Sequence, residues 1–229
     1  MDFFLQALAA AFNLIISLDI EVYQVVWTSI FISLLATLAA AVISVPLGLL
    51  VGLTRFPGKD FLQHSLNTLM ALPTVVVGLI LYGMLSRRGP AGDWGLLFTP
   101  TAMVIGQCIL IVPIIWNLSI AAVNGADPRL ALTCRSLGAT GWQQAWIYLR
   151  EVRFGFLAAI VMGFGRAIGE VGVAMMLGGN IEGYTRTMTT AIALETSKGE
   201  FEFALALGIV LLAVAFTANA LLSRFQRHA

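Results

Sequence analysis

Five continuous apolar stretches separated by short polar segments set the pattern of this chain: residues 25–53, 61–85, 96–123, 154–177 and 203–222. Each reaches the roughly 20 residues a helix needs to cross about 30 Å of hydrocarbon. Lipid offers no water to the backbone, so a spanning segment must pair its amides internally, and each stretch predicts an α-helix. A transmembrane barrel would alternate apolar and polar residues, which these stretches do not. A sixth stretch, residues 3–18, is shorter, carries Gln6 and Asn13, and runs into Asp19 and Glu21. It reads as an interfacial helix rather than a sixth span. The expected fold class is therefore all-α and integral to the membrane, with about five spans plus the N-terminal helix.

Composition narrows this further. Hydrophobic residues make up 59% of the 229 and charged residues 11%, against about 25% charge in soluble domains. The chain reads as one transmembrane domain over residues 1–229, with no room for a large soluble domain. A net charge of +1 gives no sign of nucleic-acid binding. Cys108 lies in an apolar stretch and Cys134 in a polar one, so the two read as packing residues rather than a disulfide or metal site. The N-terminus, Met1-Asp2-Phe3-Phe4, has no basic segment of the kind that opens a cleaved signal peptide.

Positive charge gives the expected orientation. With five spans, one side carries Arg55, Lys59, Arg129, Arg135, Arg150, Arg153, Arg224 and Arg227; the other carries Arg87, Arg88, Arg186 and Lys198. The first side is expected to be cytoplasmic, which leaves the N-terminus outside.

Few residues offer chemistry. Pro46, Pro73 and Pro113 fall inside the first three stretches, where each removes a helix hydrogen bond; they read as ordinary bends or as hinges. Gly48/Gly52 and Gly165/Gly169 have the small-residue spacing of close helix packing, within a bundle or between copies. Arg166 and Glu170 stand four residues apart in the fourth stretch, on one helical face, and can pair. Charges at that depth are costly and face protein or water, so the pair is either a structural lock or part of an anion pathway. The outer segment 180–199 holds Thr185, Arg186 and Thr189. It reads as a solvated loop with a short helix, or as hydroxyls and a cation that meet an entering oxyanion. No phosphate-binding loop is present: Gly58-Lys59 runs into Asp60 and lacks the upstream glycine. His64 and His228 are isolated, which leaves no metal or acid–base constellation. The chain itself is not expected to be an enzyme.

The polar segment 124–152 is longer than a connection requires. Asp127 is a good N-cap and Pro128 a good first helical residue. Leu130, Cys134 and Leu137 follow at helical spacing, Gly138 interrupts, and Trp142, Ala145, Trp146 and Leu149 start a second amphipathic piece. Such a helix–turn–helix on the membrane face is a surface anchor or a docking element.

Asp127-Pro128-Arg129-Leu130, Arg135-Ser136-Leu137-Gly138-Ala139-Thr140 and Ile147-Tyr148-Leu149 resemble the E-A-A loop of permease subunits of type I ATP-binding-cassette importers. Gly138 matches the glycine of that pattern; Leu132, Thr133 and Cys134 stand where it has E-A-A, and Arg150 where it has proline. Phe56-Pro57-Gly58-Lys59 and Leu72-Pro73 are similar to molybdate- and sulfate-type permeases. Arg166-Ala167-Ile168-Gly169-Glu170-Val171-Gly172 resembles a segment of oxyanion permeases, phosphate permeases included. Gly178-Gly179-Asn180-Ile181 and Thr185-Arg186-Thr187-Met188-Thr189-Thr190-Ala191-Ile192 look most like the tungstate-specific branch.

The resemblance implies a type I importer permease fold in a prokaryotic cytoplasmic membrane, and a homodimer with its pathway on the two-fold axis. It implies separate ATPase subunits that carry ATP and Mg and grip a coupling helix, and an outer binding protein that delivers tungstate or molybdate. The coupling residues implied are Asp127, Arg129, Leu130, Arg135, Leu137, Gly138, Ala139, Thr140 and Trp142. Arg166, Glu170 and Pro73 would line the pathway or lock helices. A gradient-driven secondary transporter would show a carboxylate relay and an inverted repeat, neither of which is visible. A purely structural subunit would not need a kinked, glycine-rich interior with a charge pair.

Overall fold

The computed structural model describes residues 2–17 and 19–227; Leu18 and His228 lie outside the described residues. The described residues form α-helices and one 3-10 turn, at Gly92–Trp94. The helices are α1 (Asp2–Ile16), α2 (Ile20–Leu53), α3 (Lys59–Met70), α4 (Thr74–Leu85), α5 (Pro100–Asn124), α6 (Pro128–Ser136), α7 (Gly141–Glu151), α8 (Arg153–Ile168), α9 (Gly172–Gly178), α10 (Met188–Lys198) and α11 (Phe201–Arg227).

Three helices are long and apolar enough to cross a membrane unbroken: α2, α5 and α11. Their starts follow from local chemistry. The Asp19 carboxylate accepts the amides of Glu21 and Val22 and starts α2. The Thr99 hydroxyl accepts the amide of Ala102, and Pro100 fills the first turn of α5, where no amide donor is needed. Pro46 and Pro113 stay inside intact helices. Near them the Ser44 hydroxyl donates to the Val112 carbonyl at 3.1 Å, tying α2 to α5.

The second and fourth apolar stretches depart from the expectation of continuous spans. α3 and α4 form one span bent by 92° at a break of three residues, and α8 and α9 another bent by 61°. Pro73 supplies the first break, because it cannot donate to a helix continued through it. Gly169-Glu170-Val171 make the second. With the bent pairs counted as single spans the structure has up to five, as the hydropathy pattern anticipates. The N-terminal stretch is helical, as expected; α1 is short and packs along α11.

Close approach of α2, α5 and α8 forms the centre of the bundle. A methyl group on Gly48 would stand 2.3 Å from the Cβ of Ser119, and one on Gly52 2.6 Å from Val123. Gly155 meets Ala122 and Gly163 meets Ile115 in the same way. The first glycine pair therefore packs helices within the chain, whereas Gly165 of the second pair faces open space. Ala36, Ala40, Ile111, Ile115, Ala159 and Ala167 fill the resulting seam. α4 and α9 pack against α5 through Val77, Met103, Val173 and Leu177. α3 packs on the other half of α5 through Leu66 and Ile120.

Candidate functional site

Three regions hold the residues singled out by sequence: the polar segment after α5, the breaks in the bent spans, and the segment 180–199 around α10.

In the first, the Asp127 carboxylate accepts the amide of Arg129 at 2.8 Å and starts α6. The helix stops at Ser136 because Gly138 turns the chain with φ +67, a left-handed conformation that L side chains rarely adopt. Thr140 then caps α7 in a reciprocal box: its hydroxyl accepts the amide of Gln143, and the Gln143 side chain accepts the amide of Thr140. These local rules make a helix–turn–helix whose inner side is small. Cys134 is buried, and Tyr148 packs with Val123 and Phe156, bracketed by Leu130 and Leu149. Burial pushes the Tyr148 phenol above its ordinary range, Cys134 adds to this, and Arg135 opposes it.

Leu137 is not on that buried face. It is 78% exposed, beside Leu132 at 67% and Trp142 at 79%. The helical spacing that grouped Leu137 with Leu130 and Cys134 runs past the end of α6. Leu137, Ala139, Trp142, Gln143, Trp146 and Ile147 line an open cleft of about 530 Å3. Arg129 and Arg135 are exposed. The result is an apolar, cation-fringed surface held to the bundle through Leu130, Tyr148 and Leu149. Leu132 belongs to this surface and was not among the sequence candidates; the signal was an apolar residue at a solvent-facing helical position.

In the second region, Arg166 and Glu170 pair as the spacing suggested, at 2.6 Å. They do not share a helix, because α8 ends at Ile168 and Glu170 sits in the break. Glu170 is 3% exposed, whereas Arg166 is 37% exposed. The other carboxylate oxygen of Glu170 accepts the amide of Val173 at 3.1 Å, in the first turn of α9. The Thr189 hydroxyl donates to the Glu170 carbonyl at 2.8 Å. The two breaks lie together: a methyl on Gly172 would stand 2.9 Å from the Thr74 hydroxyl, directly after Pro73. Glu170 thus joins both halves of a bent span through its carboxylate and holds α10 through its backbone carbonyl.

The segment 180–199 is not a solvated loop through its middle. Thr185, Thr187, Thr189 and Thr190 are buried, and α10 occupies 188–198. The Thr185 hydroxyl donates to the Gly178 carbonyl, the Met188 amide donates to the Ser29 hydroxyl, and Thr187 and Thr190 cap α10 reciprocally. Arg186 is 9% exposed and pairs with Glu21 at 3.1 Å and Glu182 at 3.5 Å. These hydroxyls are committed to the backbone and this cation to carboxylates, so in this conformation they hold α10 rather than meet a solute. Cys108 and Cys134 are free.

This architecture, with a helical loop set between the unbroken α5 and the bent α8–α9 span, coincides with a known family. The profile of the "Binding-protein-dependent transport system inner membrane component" family matches residues 44–229. The chain belongs to that family. Among its relatives is the tungstate uptake system permease protein TupB of Peptoclostridium acidaminophilum, 39% identical over 228 residues and covering all of both chains. The molybdenum transport system permease protein ModB of Escherichia coli K12 is 33% identical over 189 residues, 76% of this chain and 82% of that one. A solved structure titled as an amino acid ABC transporter with histidines has the same fold, with TM-score 0.70 at 17% identity, covering 94% of this chain and 97% of that one. As a member of an inner membrane component family, the chain is a multi-pass membrane protein with an importer permease fold.

Proposed function

We propose that this chain is the permease subunit of an ATP-driven importer that carries tungstate into the cell. The observation that carries the reading is the full-length similarity to a tungstate uptake permease, higher in identity and coverage than that to the molybdenum permease. Molybdate, of the same charge and tetrahedral shape, is the second substrate to test.

The permease works as a homodimer. ATP and Mg belong to separate ATPase subunits, which grip the exposed apolar surface of Leu132, Leu137 and Trp142. That surface suits docking because exposed apolar side chains are costly unless covered. Asp127, Arg129, Leu130, Arg135, Gly138, Ala139 and Thr140 shape or fringe it. The capped, glycine-turned geometry transmits ATPase closure to α5 and α8 as one body, since packed helices shift as units. The bent spans are the elements that change: freed backbone groups at membrane depth are tolerated where protein or a water-filled path satisfies them. Pro73 and the Arg166–Glu170 pair sit at those breaks, with the guanidinium at the exposed edge. An outer binding protein delivers the oxyanion to the face bearing Thr185, Arg186 and Thr189, and the N-terminus lies on that side.

Copurification tests this. The chain should carry an ATPase subunit with it, and the partner binding protein should retain tungstate in preference to molybdate. A chain that assembles without any ATPase and moves solute on an ion gradient is a secondary transporter instead.

A further inference from the structure

We propose that the groove between α2 and α7 is a lipid site, holding one acyl chain of an anionic phospholipid with its phosphate at Arg150. The inference rests on the permease reading only for placing this face at the inner leaflet.

α7 crosses the end of α2 and leaves an apolar cleft of about 530 Å3 beside the crossing. Its walls include Val42, Val45, Pro46 and Leu49 of α2 and Trp146 and Leu149 of α7. Val42 is 75% exposed within it. Such a surface is stable only against hydrocarbon or another apolar surface. At the same helix, the Arg150 guanidinium lies 5.1 Å over the Trp146 ring, and Arg153 stacks likewise on Phe154 at 4.8 Å. Neither arginine is in an ion pair among the described residues, although Glu151 lies between them in sequence.

A tryptophan against an apolar cleft with an unpaired arginine over its ring is the arrangement expected at the hydrocarbon–headgroup boundary. Chain and headgroup are then both matched: methylenes against α2, phosphate against a guanidinium that stacking already orients. Cations at the inner surface attract anionic lipid. A second copy would offer this face no phosphate for Arg150, and the cross-link in the test below tells it from lipid.

The test uses the whole transporter purified from vesicles of phosphatidylglycerol and phosphatidylcholine, with native mass spectrometry counting retained lipid. Wild type should retain phosphatidylglycerol selectively. Arg150→Gln should weaken retention about five-fold, the loss of one surface cation. Val42→Trp, which fills the cleft and leaves Arg150 in place, should abolish it. The proposal is overturned if both variants retain lipid like wild type, or if Arg55→Gln on the same face lowers retention as much as Arg150→Gln. It is also overturned if Val42→Cys cross-links efficiently to a second copy. Unchanged lipid retention together with normal ATPase copurification sinks this inference alone, whereas absence of any ATPase from the wild-type preparation sinks the function it rests on.

Discussion

Replacing Glu170 should separate its structural work from any role in transport. The carboxylate makes a 2.6 Å bond to Arg166 and caps the amide of Val173 at 3.1 Å. A hydrogen bond to a charged group contributes about 1.5–3 kcal/mol, taken at its low end because Arg166 is partly exposed. Loss of a helix cap costs about 1 kcal/mol. Glu170→Ala should therefore destabilise the chain by about 2–3 kcal/mol, and Glu170→Gln, which keeps an acceptor for Val173, by about 1–2. At roughly 2–4 °C per kcal/mol for a chain of this size, the alanine variant should unfold about 4–12 °C below wild type. The exchange Arg166→Glu with Glu170→Arg restores opposite charges but not the fit. Arginine has no acceptor for the Val173 amide, and the space beside Glu170 is closed by Gly172 and Thr74. Thermal unfolding of the purified transporter reads all three. A Glu170→Ala melt within about 1 °C of wild type, below even one kcal/mol on that scale, or an exchange variant as stable as wild type, would refute the reasoning.

Gly138 has φ +67 with open space around it, so conformation, not crowding, decides substitutions there. Gly138→Asn should keep ATPase binding and uptake, while Gly138→Val, at about 1–2 kcal/mol or more of backbone strain, and Gly138→Glu should lower both in a pull-down and an uptake assay. Leu132→Asp and Leu137→Asp should each weaken ATPase copurification tenfold or more, as loss of a central apolar contact does, without lowering the melting temperature of the chain alone. Gly48→Val should cripple expression of folded protein because its side chain has no room beside Ser119, whereas Gly165→Ala should express normally.

The helical, membrane-spanning character was legible because hydrocarbon permits so few backbone solutions that apolar run length nearly decides the element. The Asp127 cap was legible too, because it acts on an amide two residues away; the Thr140–Gln143 box, equally local, was passed over as a turn. Tertiary geometry was not. Pro73 announced a bend, but nothing in Leu72-Pro73-Thr74 sets it at 92°. The Arg166–Glu170 pairing followed from helical spacing, yet it forms across a helix end, where the carboxylate takes on a second task. Thr185, Thr187, Thr189 and Thr190 looked like solvated loop residues because composition cannot show that their hydroxyls find buried backbone partners. Leu137 was misplaced by extending helical periodicity one residue beyond Ser136.

The central claim is that ATP hydrolysis on a partner drives tungstate through this chain. Transporter assembled from permease, ATPase and binding protein in proteoliposomes, with tungsten counted inside by elemental mass spectrometry, tests it most directly. The account predicts accumulation that requires both ATP and the binding protein, and that prefers tungstate to molybdate. Accumulation that proceeds without ATP on an imposed ion gradient would contradict it.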